Sequence, residues 1–350
     1  MKSFCVTAFG EPLTLIEQPT PAPQGTEVLL RVKAAGVCHS DLHLQDGGYD
    51  LGQGRVLKLS DRGISLPLTM GHEVVGEVVA LGPEAEGVAP GDVRLVFPWI
   101  GCGCCPACLR GTENLCATPN CIGVHRAGGY ADHIIVPNAK YLVEIAPLTP
   151  DQAAPFACSG LTAYGALKKL GTLLNQHPVA IIGVGGVGLM AVSLVRALGG
   201  AGAIAVDISE SKRQAALKAG AIKVIDGSSA DAVAQLSAAA PEGLLAVIDF
   251  VGSPQTAKLG IGAMARGGKY VVVGLYGGEL SYPLPFFPMR ALTVQGSYTG
   301  SLDELKELMT LARRGAIADF PLRAHSLTEV NDVLSNLRAG TIVGRSVLNP

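Results

Sequence analysis

Aromatic side chains are scarce in this chain: 5% of its residues, with a single tryptophan, Trp99. Charge is sparse as well. Asp, Glu, Lys and Arg make up 16% of the residues, and 27 basic against 29 acidic side chains nearly cancel. With a net charge of −2 there is nothing to hold a phosphate backbone by counterion release, which argues against a nucleic-acid partner. Low charge beside 48% apolar residues excludes a disordered chain. The opening MKSFCVTAFGEPL lacks the continuous apolar stretch of a signal peptide. The expected compartment is therefore the cytoplasm, where thiols stay reduced and closely spaced cysteines favour a metal over a disulfide. There is no internal repeat and no low-complexity segment.

What is abundant is glycine, at 45 residues in 350. The length favours two domains. The first ~150 residues read as short strands punctuated by Gly and Pro, for example EVLLRVKAAGVC, HEVVGEVVALG and DHIIVP. From about Cys158 strand and helix patterns alternate, with uncharged, branched strands such as AIAVD, LLAVIDF and KYVVVG. Such strands suit a parallel sheet covered on both faces, so the fold class is α/β. The tail ends on another strand, TIVGRSVL. The expected organisation is a β-rich domain from 1–152 and 300–350 with a doubly wound domain, 153–299, inserted. Pro178 to Val195 is eighteen residues without a charge and long enough to be a membrane-span candidate. Its four central glycines instead argue for a strand, a turn and a helix, and no membrane partner is expected.

Five of the nine cysteines crowd into GCGCCPACLRGTENLC, residues 101–116. Cys102, Cys105, Cys108 and Cys116 have the spacing of a four-thiolate zinc lobe, a closed and therefore structural site. The CxCC run permits a register shifted onto Cys104; the even two-residue spacing favours Cys105. A loop of unligated thiols and a nucleic-acid zinc ribbon are the competing readings, and the second lacks basic and aromatic neighbours.

Cys38, His72 and Cys158 are each weak signals alone. Together they make a Cys2His set, which leaves one tetrahedral corner open, as a catalytic zinc requires. GVGGVG follows an apolar strand and opens a helix. Gly183, Gly185 and Gly188 fit the dinucleotide fingerprint, in which a tight turn brings a pyrophosphate to a helix N-terminus. Asp207 lies nineteen residues past Gly188, at the end of the next strand. A carboxylate there accepts from ribose hydroxyls and repels a 2′-phosphate, favouring NAD over NADP. The neighbouring Arg213 is the residue that would soften this preference.

GVCHSDLH, LPLTMGHE, the cysteine lobe, APFACSGLTAYGAL, GVGGVG and the terminal GRSVL occur in an order that resembles the zinc-dependent medium-chain alcohol dehydrogenases over essentially the whole chain, nearest to the tetrameric bacterial and archaeal NAD enzymes. The resemblance implies a GroES-like catalytic domain beside a Rossmann coenzyme domain, two zinc ions per chain and NAD. It implies that Cys38, His72 and Cys158 hold the catalytic zinc. In polyol dehydrogenases of the superfamily a Glu takes the third place, so Cys158 points to the alcohol branch. Asp41 would orient His72, and Glu73 would lie behind the metal. Ser40 would bond the alcohol oxygen and His43 would carry its proton to solvent. His39 and Arg345 would lie near the cofactor phosphates, although a solvent-facing histidine also accounts for His39, and Lys212 would lie near the ribose. Trp99 matches a pocket position, with Ile122, Leu275 and Tyr276 as further pocket candidates.

The implied partner is a primary, secondary or benzylic alcohol, or its carbonyl compound. The alternatives are a polyol, a hydroxyacyl compound or a formaldehyde adduct, and, from a different class, a zinc-free cofactor-binding structural protein. The segment from Gly47 to Gly63 reads as a Gly-rich, charged loop that lengthens the Cys38–His72 interval and could shape the pocket entrance or a subunit contact. Between Cys116 and Cys158 the chain lacks the insertion of the dimeric liver enzymes, which implies a homotetramer.

Overall fold

A computed structural model describes all 350 residues. Seven strands form a mixed sheet in the order Leu142–Glu144, Val93–Val96, Glu73–Leu81, Val28–Val37, Arg345–Asn349 and Leu322–Ser326, with His133–Val136 joining Val28–Val37. Val28–Val37 and Glu73–Leu81 run antiparallel, with Gly36 opposite Glu73. The chain therefore leaves the sheet at Cys38 beside the point where it enters at His72. The C-terminal strand lies between Val28–Val37 and Leu322–Ser326 and sets Ser346 opposite Val37. Arg345 is thus carried from the far end of the sequence to the same edge.

Six parallel strands form the second sheet, ordered Lys223–Asp226, Ala203–Asp207, Val179–Ile182, Leu244–Asp249, Met264–Val272 and Thr293–Gly296. Numbered along the chain this is 3-2-1-4-5-6, the doubly wound order, with its switch point between the first and fourth strands. All four residues of Val179–Ile182 are buried. Val179 and Ile181 join the core shared with the mixed sheet, while Ala180 and Ile182 join a smaller core on the opposite face. Covering both faces is what makes the strand apolar throughout. The span candidate resolves into this strand and the helix Gly186–Ala197. No helix is long and apolar enough to cross a membrane.

The segment expected as a loop contains a hairpin, Gly48–Gly52 paired with Arg55–Lys58. Gln53 and Gly54 form its two-residue turn with φ of 54° and 73°. Positive φ at both central positions gives the twist that matches paired strands, and the glycine adopts it without strain. The sequence signal was masked because the strands carry little apolar alternation.

Candidate active site

Two of the three candidate metal ligands, Cys38 and Cys158, stand at helix starts, and His72 immediately precedes the strand Glu73–Leu81. Cys38 precedes the helix His39–Asp46, where its sulfur and the Asp41 carboxylate form a reciprocal capping box. Asp41 Oδ2 accepts from the Cys38 N–H at 2.9 Å and from the Tyr130 hydroxyl at 2.6 Å. Its Oδ1 lies 3.3 Å from His72 Nδ1, close enough for the charge to act though not aligned as a hydrogen bond. Cys158 stands at the N-terminus of the helix Ser159–Lys168. Both thiols therefore sit where a helix dipole favours the thiolate.

Their sulfurs are 3.9 Å apart. Two sulfurs bound at about 2.3 Å to one tetrahedral zinc are about 3.8 Å apart, so the spacing suits a shared ion. Cys38, His72, Glu73 and Cys158 present their ligand atoms within 4.8 Å of one another, all buried. His72 Nε2 is buried without a hydrogen-bond partner, as an atom reserved for a ligand would be. The hydrogen bond from Cys158 holds the Cys38 thiol well below the usual range, and the same bond raises Cys158. Burial opposes charge on His72, yet Asp41 and Cys38 outweigh it and raise its pKa well above 6.5. An incoming cation would displace the protons that this cluster shares.

Glu73 is held behind the cysteines. Its Oε1 accepts from the Ser159 N–H at 3.1 Å, and its Oε2 pairs with the Arg345 guanidinium. A side chain at position 36 would strike this carboxylate, since a Cβ on Gly36 would lie 2.0 Å from Glu73 Oε2. Burial pushes the Glu73 pKa up to about 7, with Arg345 opposing.

In the cysteine lobe, Cys102, Cys105, Cys108 and Cys116 bring their sulfurs within 4.8 Å of one another. Sulfur separations of 3.9 Å for Cys102–Cys108, 3.5 Å for Cys105–Cys108 and 3.8 Å for Cys105–Cys116 again match tetrahedral edges. Cys104 lies outside the four, exposed, with its sulfur 3.6 Å from Cys102. Glu113 ties the lobe to the body, accepting from the Gly101 N–H at 3.0 Å and the Tyr141 hydroxyl at 2.8 Å.

The three fingerprint glycines meet different needs. Gly183 has φ +81°, a left-handed turn. A Cβ at Gly185 would meet nothing within 4 Å, leaving its backbone open to a ligand. A Cβ at Gly188 would lie 1.9 Å from the Gly183 carbonyl oxygen, so helix and turn pack too closely for a side chain. Asp207 accepts from the Val184 and Ser209 N–H groups, each at 2.9 Å, and so fixes this turn. Arg345 crosses to the same helix start, its Cδ 2.5 Å from where a Gly186 Cβ would stand. Its Nε is buried without a partner.

One cavity of about 370 Å³ joins the metal cluster to the glycine turn at the switch point of the parallel sheet. Its walls include Cys38, His39, Ser40, His43, His72, Trp99, Cys158, Gly183, Gly185, Gly188, Asp207, Lys212, Leu275, Tyr276 and Arg345. Trp99 donates its indole N–H to the Ala157 carbonyl at 3.0 Å, and its ring lies 5.4 Å from His72. His43 lies 5.6 Å from the His39 ring and 4.7 Å from the Tyr49 ring. Burial, reinforced by His39, lowers the His43 pKa below 6.5.

Residues 24–147 match the family model of the alcohol dehydrogenase GroES-like domain, and residues 186–314 that of the zinc-binding dehydrogenases. An NAD-dependent alcohol dehydrogenase of Sulfurisphaera tokodaii is 37% identical over 351 residues, covering 100% of both chains. The chain belongs to the zinc-binding alcohol dehydrogenase family. Among solved structures, the alcohol dehydrogenase of the archaeon Aeropyrum pernix is similar with a TM-score of 0.91 and 33% identity, covering 100% of both chains. The D-arabinose dehydrogenase of Sulfolobus solfataricus follows the same fold, with a TM-score of 0.84, 27% identity, and coverage of 100% of this chain and 99% of that one.

Within this family fold, two sequence expectations change. Ile122 does not line the cavity; it is fully buried in the core, its N–H bonded to the Pro98 carbonyl. Arg213 is not free to meet a phosphate near Asp207. Its guanidinium is engaged by Glu210 at 2.6 Å, by the Asp207 carbonyl oxygen at 2.8 Å and by Asp226 at 3.4 Å. Sequence reading also missed cavity residues. Tyr49, Thr162, Ser297, Tyr298 and Thr299 all line the wall. Tyr49 sits six residues past His43, and that proximity was its only signal.

Proposed function

We propose that this protein is a zinc- and NAD-dependent dehydrogenase that interconverts an alcohol with its aldehyde or ketone. Cys38, His72 and Cys158 would hold one zinc, and Cys102, Cys105, Cys108 and Cys116 the other. The observation that carries this reading is the convergence of a buried Cys2His cluster and a glycine turn on one cavity. When bound, zinc supplies a Lewis acid for the substrate oxygen, and NAD supplies the hydride acceptor. Asp41 keeps His72 in the tautomer and orientation that a ligand needs. Ser40 and His43, three apart on one helix, face the cavity together. Ser40 orients the hydroxyl, and His43, neutral because its pKa is lowered, receives the proton and passes it to solvent. Asp207 and Lys212 would hold the adenosine ribose, and the engagement of Arg213 supports NAD over NADP. The unpartnered Arg345 Nε and the position of His39 support a pyrophosphate beside Gly185.

Trp99 and Leu275 give the pocket an apolar wall, which suits primary, secondary or benzylic alcohols. A polyol or another polyfunctional hydroxyl substrate is the second reading. It is favoured by the Ser297 and Thr299 hydroxyls, which line the same cavity, buried and without partners. Measuring NAD reduction over a panel of simple alcohols and polyols separates the two. Turnover with neither class would sink both.

The inserted arrangement, with 1–152 and 300–350 flanking 153–299, is supported by the return of Arg345–Asn349 to the first sheet. Exposed Leu284, Phe286 and Met289 precede the edge strand Thr293–Gly296, and they support self-association into a tetramer. Nine unpaired cysteines support a reducing, cytoplasmic setting.

A further inference from the structure

Cys104 has no part in either ligand set, yet it is exposed and next to one. Gly103, at φ +78°, bends the chain between Cys102 and Cys104 and leaves their sulfurs 3.6 Å apart. Both side chains are exposed, whereas Cys105 and Cys108 are partly covered and Cys116 is buried. The remaining cysteines outside the ligand sets, Cys5 and Cys121, are buried as well. One accessible ligand sulfur therefore has one accessible spare thiol within reach.

We propose that Cys102 and Cys104 form an oxidation site, at which hydrogen peroxide converts the pair to a disulfide and releases the lobe's zinc. This rests on the reading of the lobe as a zinc site. The Cys102 thiolate attacks the peroxide, the O–O bond breaks, and Cys102 becomes a sulfenic acid while one oxygen leaves as hydroxide. The Cys104 sulfur then attacks the Cys102 sulfur and expels the second oxygen as water. Two thiols lose two electrons, and the peroxide gains them. An exposed thiolate beside a resolving thiol is the arrangement that favours this step over irreversible overoxidation. With Cys102 withdrawn, three ligands remain in a lobe that has little core of its own, so the ion leaves. The lobe also touches the cavity wall, since the Asn114 side-chain amide donates to the Tyr298 carbonyl oxygen at 3.0 Å.

The test treats the zinc-loaded enzyme with hydrogen peroxide, follows released zinc with a chromogenic chelator, and maps cysteine pairing by peptide mass. The expected result is loss of one zinc per chain with a Cys102–Cys104 crosslink, both reversed by dithiothreitol and added zinc. Cys104→Ser, a change at an exposed position outside the four ligands, should release zinc several-fold more slowly and accumulate Cys102 sulfinic acid that reductant does not reverse. Pairing of Cys102 with Cys105 or Cys108 instead, or identical release and reversal in Cys104→Ser, would overturn the proposal. Zinc counted before peroxide tests the lobe assignment separately, and the crosslink is mapped whether or not the lobe carries metal.

Discussion

Single side chains in the cavity act through their surroundings. His43 is lowered below its ordinary 6.5 by burial and by the neighbouring His39. Only neutral imidazole accepts a proton, so alcohol oxidation should decline as pH falls through this lowered pKa, beginning at a lower pH than for an exposed histidine. His43→Gln should remove that acidic limb from the kcat/KM profile. It should slow turnover by up to roughly a hundredfold, the low end of what a positioned acid–base group supplies. Zinc content should not change. A variant whose pH profile and buffer dependence match the parent would take His43 out of proton transfer. Asp207 accepts from the Val184 and Ser209 N–H groups, and under the proposed function it would also repel a 2′-phosphate. Asp207→Ala should lower the ratio of kcat/KM for NAD to that for NADP by roughly tenfold or more, the worth of one hydrogen bond to a charged group. An unmoved ratio would refute its role in cofactor choice. Asp207 was legible because motif spacing fixes it in one segment. Tyr49 and Tyr298 were not, because what brings them to the cavity is tertiary packing rather than a local pattern.

Among the elements, the hairpin from Gly48 to Lys58 departs furthest from its sequence reading. Its base sets Tyr49 against His43, while its tip is fastened to the parallel-sheet domain. The Gln53 amide and the Arg55 guanidinium both reach Glu279, and Gly278 N–H lies 3.4 Å from the Asp50 carbonyl oxygen. Glu279 lies in the segment that follows Leu275 and Tyr276, which line the cavity. The hairpin thus links the His43 side of the cleft to the segment after Tyr276 on the other. Glu279→Ala should change thermal stability by about 1 kcal/mol or less, since the pair is solvent-exposed. It should nevertheless speed NADH release in stopped-flow, and equal release rates would show that this link does not control the cleft. The turn Gln53–Gly54 carried the hairpin signal, but flanking glycines and charges concealed it. The cysteine lobe, apart from the register at Cys104, and the glycine turn were legible, because each completes its geometry within about fifteen residues.

Over the whole molecule, the decisive fact is convergence. Cys38 and Cys158 are 120 positions apart, yet their sulfurs meet because one strand ends where another begins and a helix start is packed against both. No local pattern encodes that meeting. The sequence indicated it only through several motifs in a familiar order, and the fold places all of them except the cysteine lobe around one cleft. The measurement that bears most directly on this reading is metal content per chain, taken together with NAD reduction on an active alcohol, before and after graded chelation. Two zincs per chain are expected, with activity lost as the more labile ion leaves and regained when zinc is restored. Zinc confined to the Cys102–Cys116 lobe, with activity untouched by chelation, would contradict the Cys38–His72–Cys158 site and the dehydrogenase chemistry built on it.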